Sequence, residues 1–227
     1  MTGAVTIIAL IPARNEAATV AATVRALRSV TDQVVVIDDA STDATASLAL
    51  GAGATVLRIP SQAGKGAAMD GALGRLPPHS GVWLFADGDL GASAKGLAAL
   101  LVPVVEGQAD MAVATFPPQE GGGLGTVKRF STRGIRALTG FEVDEPLSGQ
   151  RALSAACLAA VRPLAGGFGM ETAMTIDAVR AGLRVVEIPI PGLTHRSTGR
   201  SLSGFAHRGR EGLHIFRALA ARAVRLR

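Results

Sequence analysis

Val82-Trp-Leu-Phe-Ala-Asp-Gly-Asp89 runs from five apolar side chains straight into two carboxylates spaced by one glycine. A short, unbroken apolar run is the pattern of a strand covered on both faces, as in a parallel sheet. The carboxylates then stand at the carboxyl end of that strand, where open parallel sheets hold their ligands. Two carboxylates this close repel each other, and a divalent cation would neutralise them. An all-oxygen donor set favours Mg²⁺ or Mn²⁺. Gly88 between them lets a bulky phosphate approach the backbone. The competing reading is an ordinary Asp-Gly turn, since Asp-x-Asp alone is weak. The strand that precedes it favours the ligand site.

Working back from this segment, the same alternation recurs. Val5–Ile11 is an apolar run, and Asn15–Arg28 has helical spacing with Asn15 as the expected N-cap. Val34–Ile37 reads as a strand, Ser41 to about Leu50 as a helix stopped by Gly51, Thr55–Leu57 as a strand and Gly64–Leu73 as a helix. Four strands and three helices in about 90 residues predict right-handed crossovers and an α/β fold, a mostly parallel sheet with helices on both faces. Forward of Asp89, Ser93 is expected to cap a helix bearing Leu97, Leu100, Leu101 and Val104. A strand is expected over Asp110–Thr115, a loop over Phe116–Gly125 and a helix over Thr126–Thr139. Ser148–Leu153 and Leu183–Ile190 are further strands, flanking a helix over Met170–Ala181. The tail from Ser201 is a helix with Leu213, Phe216, Leu219, Ala220 and Val224 on one side. No internal repeat and no linker divides the 227 residues, so one domain is expected, with halves over about 1–92 and about 93–200 and a basic helix over 201–227.

Composition narrows the function. With 48% hydrophobic and 18% charged residues the chain is not disordered. The single cysteine, Cys157, excludes an internal disulfide and a thiolate zinc cluster, which fits a reducing, cytoplasmic setting. No apolar run reaches the ~18–20 residues that span a bilayer, and Met1–Leu10 lacks the basic start of a secretory signal. The net charge of +5 is uneven: residues 190–227 hold eight arginines and one glutamate. Nucleic acid is not expected as a partner, because the basic residues form no stripe with interleaved aromatics. The Arg-rich tail helix is open to three readings: packing on the body, a homodimer contact, or a peripheral contact with anionic lipid at the inner face of the membrane.

Each strand of the first half is followed by polar groups: Pro12-Ala-Arg-Asn-Glu16, Asp38-Asp-Ala-Ser-Thr-Asp43, Gly64-Lys-Gly66, and Asp87-Gly-Asp89. Asp38 or Asp39 could accept from a ribose or base, while Asp39 and Asp43 could equally cap the next helix. Gly64-Lys-Gly66 lacks P-loop spacing, though Lys65 at a helix start could reach a phosphate.

In order and spacing these motifs resemble glycosyltransferase family 2 with its GT-A fold. Ser148-Gly-Gln-Arg-Ala-Leu153, Gly167-Phe-Gly-Met-Glu171 and Ala181-Gly-Leu-Arg-Val-Val-Glu-Ile-Pro189 look like the dolichyl-phosphate mannose synthase branch. The resemblance covers roughly residues 5–200. It implies a metal-dependent transfer of a sugar from a nucleoside diphosphate (a UDP- or GDP-sugar) to an acceptor, a polyprenyl phosphate or a small phosphorylated or acidic molecule. It implies that Pro12, Ala13, Arg14 and Glu16 line the base and ribose pocket, that Asp39 and Lys65 lie beside it, and that Gly88 admits the diphosphate. Asp87 would meet the ribose or the metal's water shell, Asp89 the metal, and Arg151 the acceptor or diphosphate. Thr194-His-Arg-Ser-Thr-Gly-Arg200 resembles a segment of the glucosyl-3-phosphoglycerate synthases, which implies His195 as a third metal ligand. Arg196 and Arg200 could clamp a diphosphate or acidic acceptor bidentately. Glu171 could be the base that deprotonates an acceptor hydroxyl, with Asp144 and Glu145 as rivals, or a first-turn glutamate that favours the helix dipole. The chain departs from the branch at Gly88 (commonly alanine), at Gln150 (commonly phenylalanine) and at Gly91-Ala-Ser93. The alternatives are a sugar nucleotidyltransferase, disfavoured because Asn15-Glu-Ala-Ala-Thr19 lacks its glycine-rich loop, and a non-catalytic nucleotide-binding protein on the same fold.

Overall fold

The computed structural model describes residues 5–77, 79–116, 125–193 and 202–224, with side chains except those of Phe168 and residues 202–211. Seven strands form one sheet in the order β3-β2-β1-β4-β6-β5-β7. They are β1 (Ile7–Ala13), β2 (Gln33–Asp39), β3 (Thr55–Ile59), β4 (Val82–Phe85), β5 (Met111–Thr115), β6 (Arg151–Ser154) and β7 (Val185–Pro189). Every pairing is parallel except those of β6, which runs antiparallel to both β4 and β5. The α/β expectation and the mostly parallel sheet are what the chain forms.

The apolar runs are continuous because both sheet faces are covered. Ala9, Ile11, Val34, Val36, Leu84 and Ala112 point to one face, under α1 (Val20–Arg28), α2 (Thr45–Gly51) and α4 (Ala98–Val105). Their alternates Ile8, Leu10, Val35, Ile37, Trp83 and Phe85 point to the other, under α3 (Lys65–Leu73), α6 (Ala155–Val161) and α7 (Met170–Arg180). A third, smaller cluster of Ile135, Val143, Ile176, Ile215 and Leu219 joins α5 (Gly125–Thr139) and α8 (Leu202–Val224) to α7. Strand order reverses between β1 and β4, so the crevice of an open α/β sheet lies where Ala13 and Asp87 leave it.

Several local expectations are corrected. Asn15 does not cap α1, which begins at Val20. Asn15 takes a left-handed backbone, φ 55°, and its Oδ1 accepts from the Thr42 N–H at 2.9 Å. Asparagine tolerates that region because its short amide bonds locally. Ser93 lies inside a 3₁₀ turn, Gly91–Leu97, and its hydroxyl donates to Leu90 O at 2.7 Å instead of capping α4. Helix α6, unforeseen from the sequence, is capped by Ser154, whose hydroxyl accepts from the Cys157 N–H. In α8 the face packed on the body is Ile215, Ala218, Leu219 and Arg222, whereas Leu213, Phe216 and Val224 are exposed. The tail therefore does pack on the body, but on a face rotated from the apolar stripe expected from spacing. Of the loop expected over Phe116–Gly125, residues 117–124 lie outside the described residues.

Candidate active site at the carboxyl edge of the sheet

The loops after β1, β2 and β3 are tied to one another by side chains. Asp43 Oδ2 accepts from the Ala17 N–H at 3.2 Å, and the Thr45 hydroxyl accepts from the Glu16 N–H at 2.8 Å. Asp39, nearly buried, accepts from the Ala63 N–H at 2.8 Å and the Gly64 N–H at 3.0 Å, one on each carboxylate oxygen. Asp39 thus fixes the approach to α3 and does not cap α2. The capping part goes to Asp43, whose Oδ1 accepts from the Thr45 N–H at 2.9 Å. Asp38 accepts from the Ser41 N–H at 3.1 Å. Pro12 and Ala13 end β1 with Ala13 buried, and Arg14 is exposed beside them.

At the centre stands Lys65, at the start of α3. Its Nζ lies 2.7 Å from Asp87 Oδ1 and 3.0 Å from Glu171 Oε1. Burial alone would pull this ammonium down, but the two carboxylates more than offset it and hold it above the ordinary lysine value. The second oxygen of Asp87, Oδ2, accepts from the Gln150 amide at 2.6 Å. Gly149 forms the floor: a Cβ there would lie 2.4 Å from Lys65 Nζ and 3.0 Å from Asp87 Oδ2. This adds a cation of the protein's own to the electrostatic argument from the sequence. Lys65 offsets part of the charge, but it is one ammonium shared between Asp87 and Glu171, so a net negative charge remains beside Asp89.

Glu171 opens α7 and is 5% exposed, with Oε1 on Lys65. One oxygen of this carboxylate thus holds Lys65 in place. Arg151 is corrected. It is fully buried in β6, beneath the rim. Its guanidinium donates to Ser148 O at 2.8 Å, to Pro146 O at 3.3 Å and to the Thr175 hydroxyl at 2.9 Å. Burial pulls it down to about 10, partly offset by Glu171, and it stays charged at neutral pH. It therefore shapes the turn that carries Gly149 and Gln150 and does not reach the acceptor or diphosphate.

Two further residues join the site: Gln150, which the sequence shows only as a departure from the branch, and Thr23. Gln150 lies next to the motif residues, so its amide was a legible donor. Thr23, fully buried on α1, donates to Gly88 O at 3.0 Å and accepts from the Gly91 N–H at 2.8 Å. Its one visible signal was a hydroxyl on the apolar face of a helix. His195, Arg196 and Arg200 lie outside the described residues. Among the described residues no three His, Cys, Asp or Glu side chains gather as a metal cluster. The donor set still suits a magnesium-like ion, which binds through one or two carboxylates together with substrate phosphates and water. Asp89, half-buried two residues beyond Asp87 on the same turn, supplies such a carboxylate.

A cavity of about 610 Å³ opens beside this rim, between α5 and the turn over 143–145. Lys128, Arg129 and Arg133 line it, with Lys128 Nζ 2.6 Å from Glu145 Oε1. The main-chain N–H groups of Asp144 and Glu145 donate to Glu187, so both rival bases sit on a turn braced from β7. Ser148 N–H closes that turn on Glu145 O, and the chain passes directly on to Gly149 and Gln150 under Asp87.

Comparisons with known proteins fit this arrangement. The chain is similar to glycosyltransferase AglJ of Haloferax volcanii, 31% identical over 185 residues, which span 79% of this chain and 60% of that protein. It thus matches about 60% of the length of that curated relative. It superposes on glucosyl-3-phosphoglycerate synthase from Mycobacterium tuberculosis in complex with phosphoglyceric acid with a TM-score of 0.81, at 26% identity, over 96% of this chain and 80% of that one. The same enzyme in complex with Mg²⁺ and uridine diphosphate gives 0.81 at 26% identity, over 96% and 79%. Its complex with Mn²⁺, uridine-diphosphate-glucose and phosphoglyceric acid gives 0.78 at 26%, over 96% and 79%. The family model described as glycosyl transferase family 2 matches residues 8–152, from the first strand through the turn beneath Asp87, and the chain belongs to that family.

Proposed function

We propose that this protein transfers a sugar from a nucleoside diphosphate to an acidic acceptor, with a divalent cation at the Asp87–Asp89 turn. The observation that carries this reading is the convergence of Lys65 and Gln150 on Asp87, with Glu171 holding Lys65 from behind, over a floor kept open by Gly149. It stands at the edge of β4, beside the strand-order reversal where such sheets bind nucleotides. The similarity to an enzyme solved with uridine diphosphate and with Mg²⁺ or Mn²⁺ supports a uridine nucleotide and one of those ions.

In this reading Pro12, Ala13, Arg14 and Glu16 border the base and ribose, and Asp39 holds the neighbouring loop against them. Asp87 meets the ribose or the ion's water shell, and Asp89 ligates the ion. When bound, the ion acts as a Lewis acid that offsets the charge building on the departing diphosphate. Lys65 supplies a fixed positive charge on the same side, held in place by Glu171 and Asp87. Gln150 keeps the Asp87 carboxylate turned toward the rim. His195 as a further ligand, and Arg196 and Arg200 as a clamp on the diphosphate, complete the assignment.

The cavity beneath α5 is the place for the acceptor. Arg129 and Arg133 give it an excess of positive charge that suits a carboxylate or phosphate. Phosphoglyceric acid bound to the similar synthase is a molecule of that kind. A panel of uridine and guanosine diphosphate sugars, each offered with phosphorylated hydroxy acids and Mn²⁺, tests the reading. One pairing should release nucleoside diphosphate, and Asp89→Ala should lower that turnover at least about 100-fold. Metal-dependent turnover undiminished in Asp89→Ala would contradict the assignment.

A further inference from the structure

Thr23 stands among Val20, Val24 and Leu27 on the buried face of α1, and it is itself fully buried. A hydroxyl in that position needs partners, and it finds them on the turn after β4. It donates to Gly88 O at 3.0 Å, sharing its hydrogen with Thr19 O at 3.2 Å. It accepts from the Gly91 N–H at 2.8 Å. The sheet ladder is finished by then: the Ala86 N–H, bonded to Leu10 O at 3.1 Å, is the last rung before the chain leaves the sheet. One hydroxyl thus spans the backbone on both sides of Asp89, from Gly88 to Gly91.

We propose that Thr23 is a positioning residue for the Asp87–Asp89 turn. Its hydroxyl fixes, from beneath, where the two carboxylates stand toward a cation and a nucleoside diphosphate. The proposal rests on the functional reading above. Valine has nearly the same shape but neither donates nor accepts. In Thr23→Val the Gly91 N–H and Gly88 carbonyl lose a buried partner, and the turn moves to find others. Serine keeps both bonds. The turn is held on its sheet side by β4 itself, so its far side, which bears Asp89, moves most.

The test compares wild type with Thr23→Val, Thr23→Ala and Thr23→Ser by two measurements. Amide hydrogen exchange at Gly91 reads the bond directly. Calorimetric titration of Mn²⁺ into protein with uridine or guanosine diphosphate reads its consequence. Thr23→Val and Thr23→Ala should exchange faster at Gly91 and need about tenfold more Mn²⁺ for half-saturation, with Thr23→Ser close to wild type. Should valine crowd the site and prevent folding, alanine and serine carry the same comparison. A lower melting temperature with unchanged Mn²⁺ half-saturation would mean a merely structural role and would overturn the proposal, as would unchanged exchange at Gly91. Faster exchange in the variants, with no Mn²⁺-dependent nucleotide binding by wild type, would show a real clamp on a turn that does not bind the ion. That outcome removes the functional reading and the positioning role together.

Discussion

Lys65 sets the charge balance at the rim. It faces two carboxylates, and with it in place these three groups carry one net negative charge, where without it Asp87 and Glu171 would confront each other. Lys65→Met should therefore destabilise the fold by about 1–2 kcal/mol, between the values for an exposed pair and for a broken buried one, because Lys65 and Asp87 are each about a third exposed. The folded-state ammonium titrates above the ordinary lysine value. Its contribution is then fully present below the ordinary value of about 10.5 and fades only as pH rises past it. Chemical denaturation of both proteins between pH 7 and 9.5 should give a constant stability gap. A gap that closes in that range would mean the pair does not hold as described. At this scale the sequence was informative about residue types and poor about partners. The sequence offers Lys65 as a cation that could reach a phosphate, but Asp87 and Glu171 are brought to it only by the fold. Arg151 shows the opposite error. A motif position suggested contact with substrate, whereas burial and three oxygen acceptors make it a brace.

Elements were legible wherever their pattern depended on burial. The cores of β1, β2 and β4 (Ile7–Ile11, Val34–Ile37 and Val82–Phe85) are apolar because helices cover both faces, and that pattern needs no tertiary knowledge. β6 runs antiparallel within the sheet, and nothing local in Arg151-Ala-Leu-Ser154 announces direction. The face that α8 buries departs from its spacing for a related reason. Spacing finds an apolar stripe, but packing chose the one carrying Arg222. That side chain is buried because it forms a bidentate pair with Asp177 of α7, Nε lying 2.8 Å from Oδ1. Gly167 and Gly169 make the docking possible, since a Cβ at Gly169 would lie 2.6 Å from His214 O. Arg222→Ala should cost about 2–4 kcal/mol in thermal or denaturant unfolding, because Asp177 is left without its cation. Nucleotide binding at the rim should be unchanged while the protein remains folded. A loss below about 0.5 kcal/mol would mean that the pair does not anchor the helix.

For the molecule as a whole, the order β3-β2-β1-β4-β6-β5-β7 explains why loops far apart in sequence meet. Crossover connections return the carboxyl ends of the first four strands to one edge, so Glu16, Asp39, Lys65 and Asp87 share a rim although other elements separate them. Among the described residues no helix is long and apolar enough to cross a membrane. The central claim is that this rim binds a divalent cation together with a nucleoside diphosphate. Anomalous diffraction from crystals grown with Mn²⁺ and uridine diphosphate tests it most directly. The account predicts a manganese peak about 2.1–2.2 Å from an Asp89 carboxylate oxygen, also touching the diphosphate. Diphosphate bound at the rim with no manganese beside Asp89, or manganese bound only elsewhere on the molecule, would contradict it.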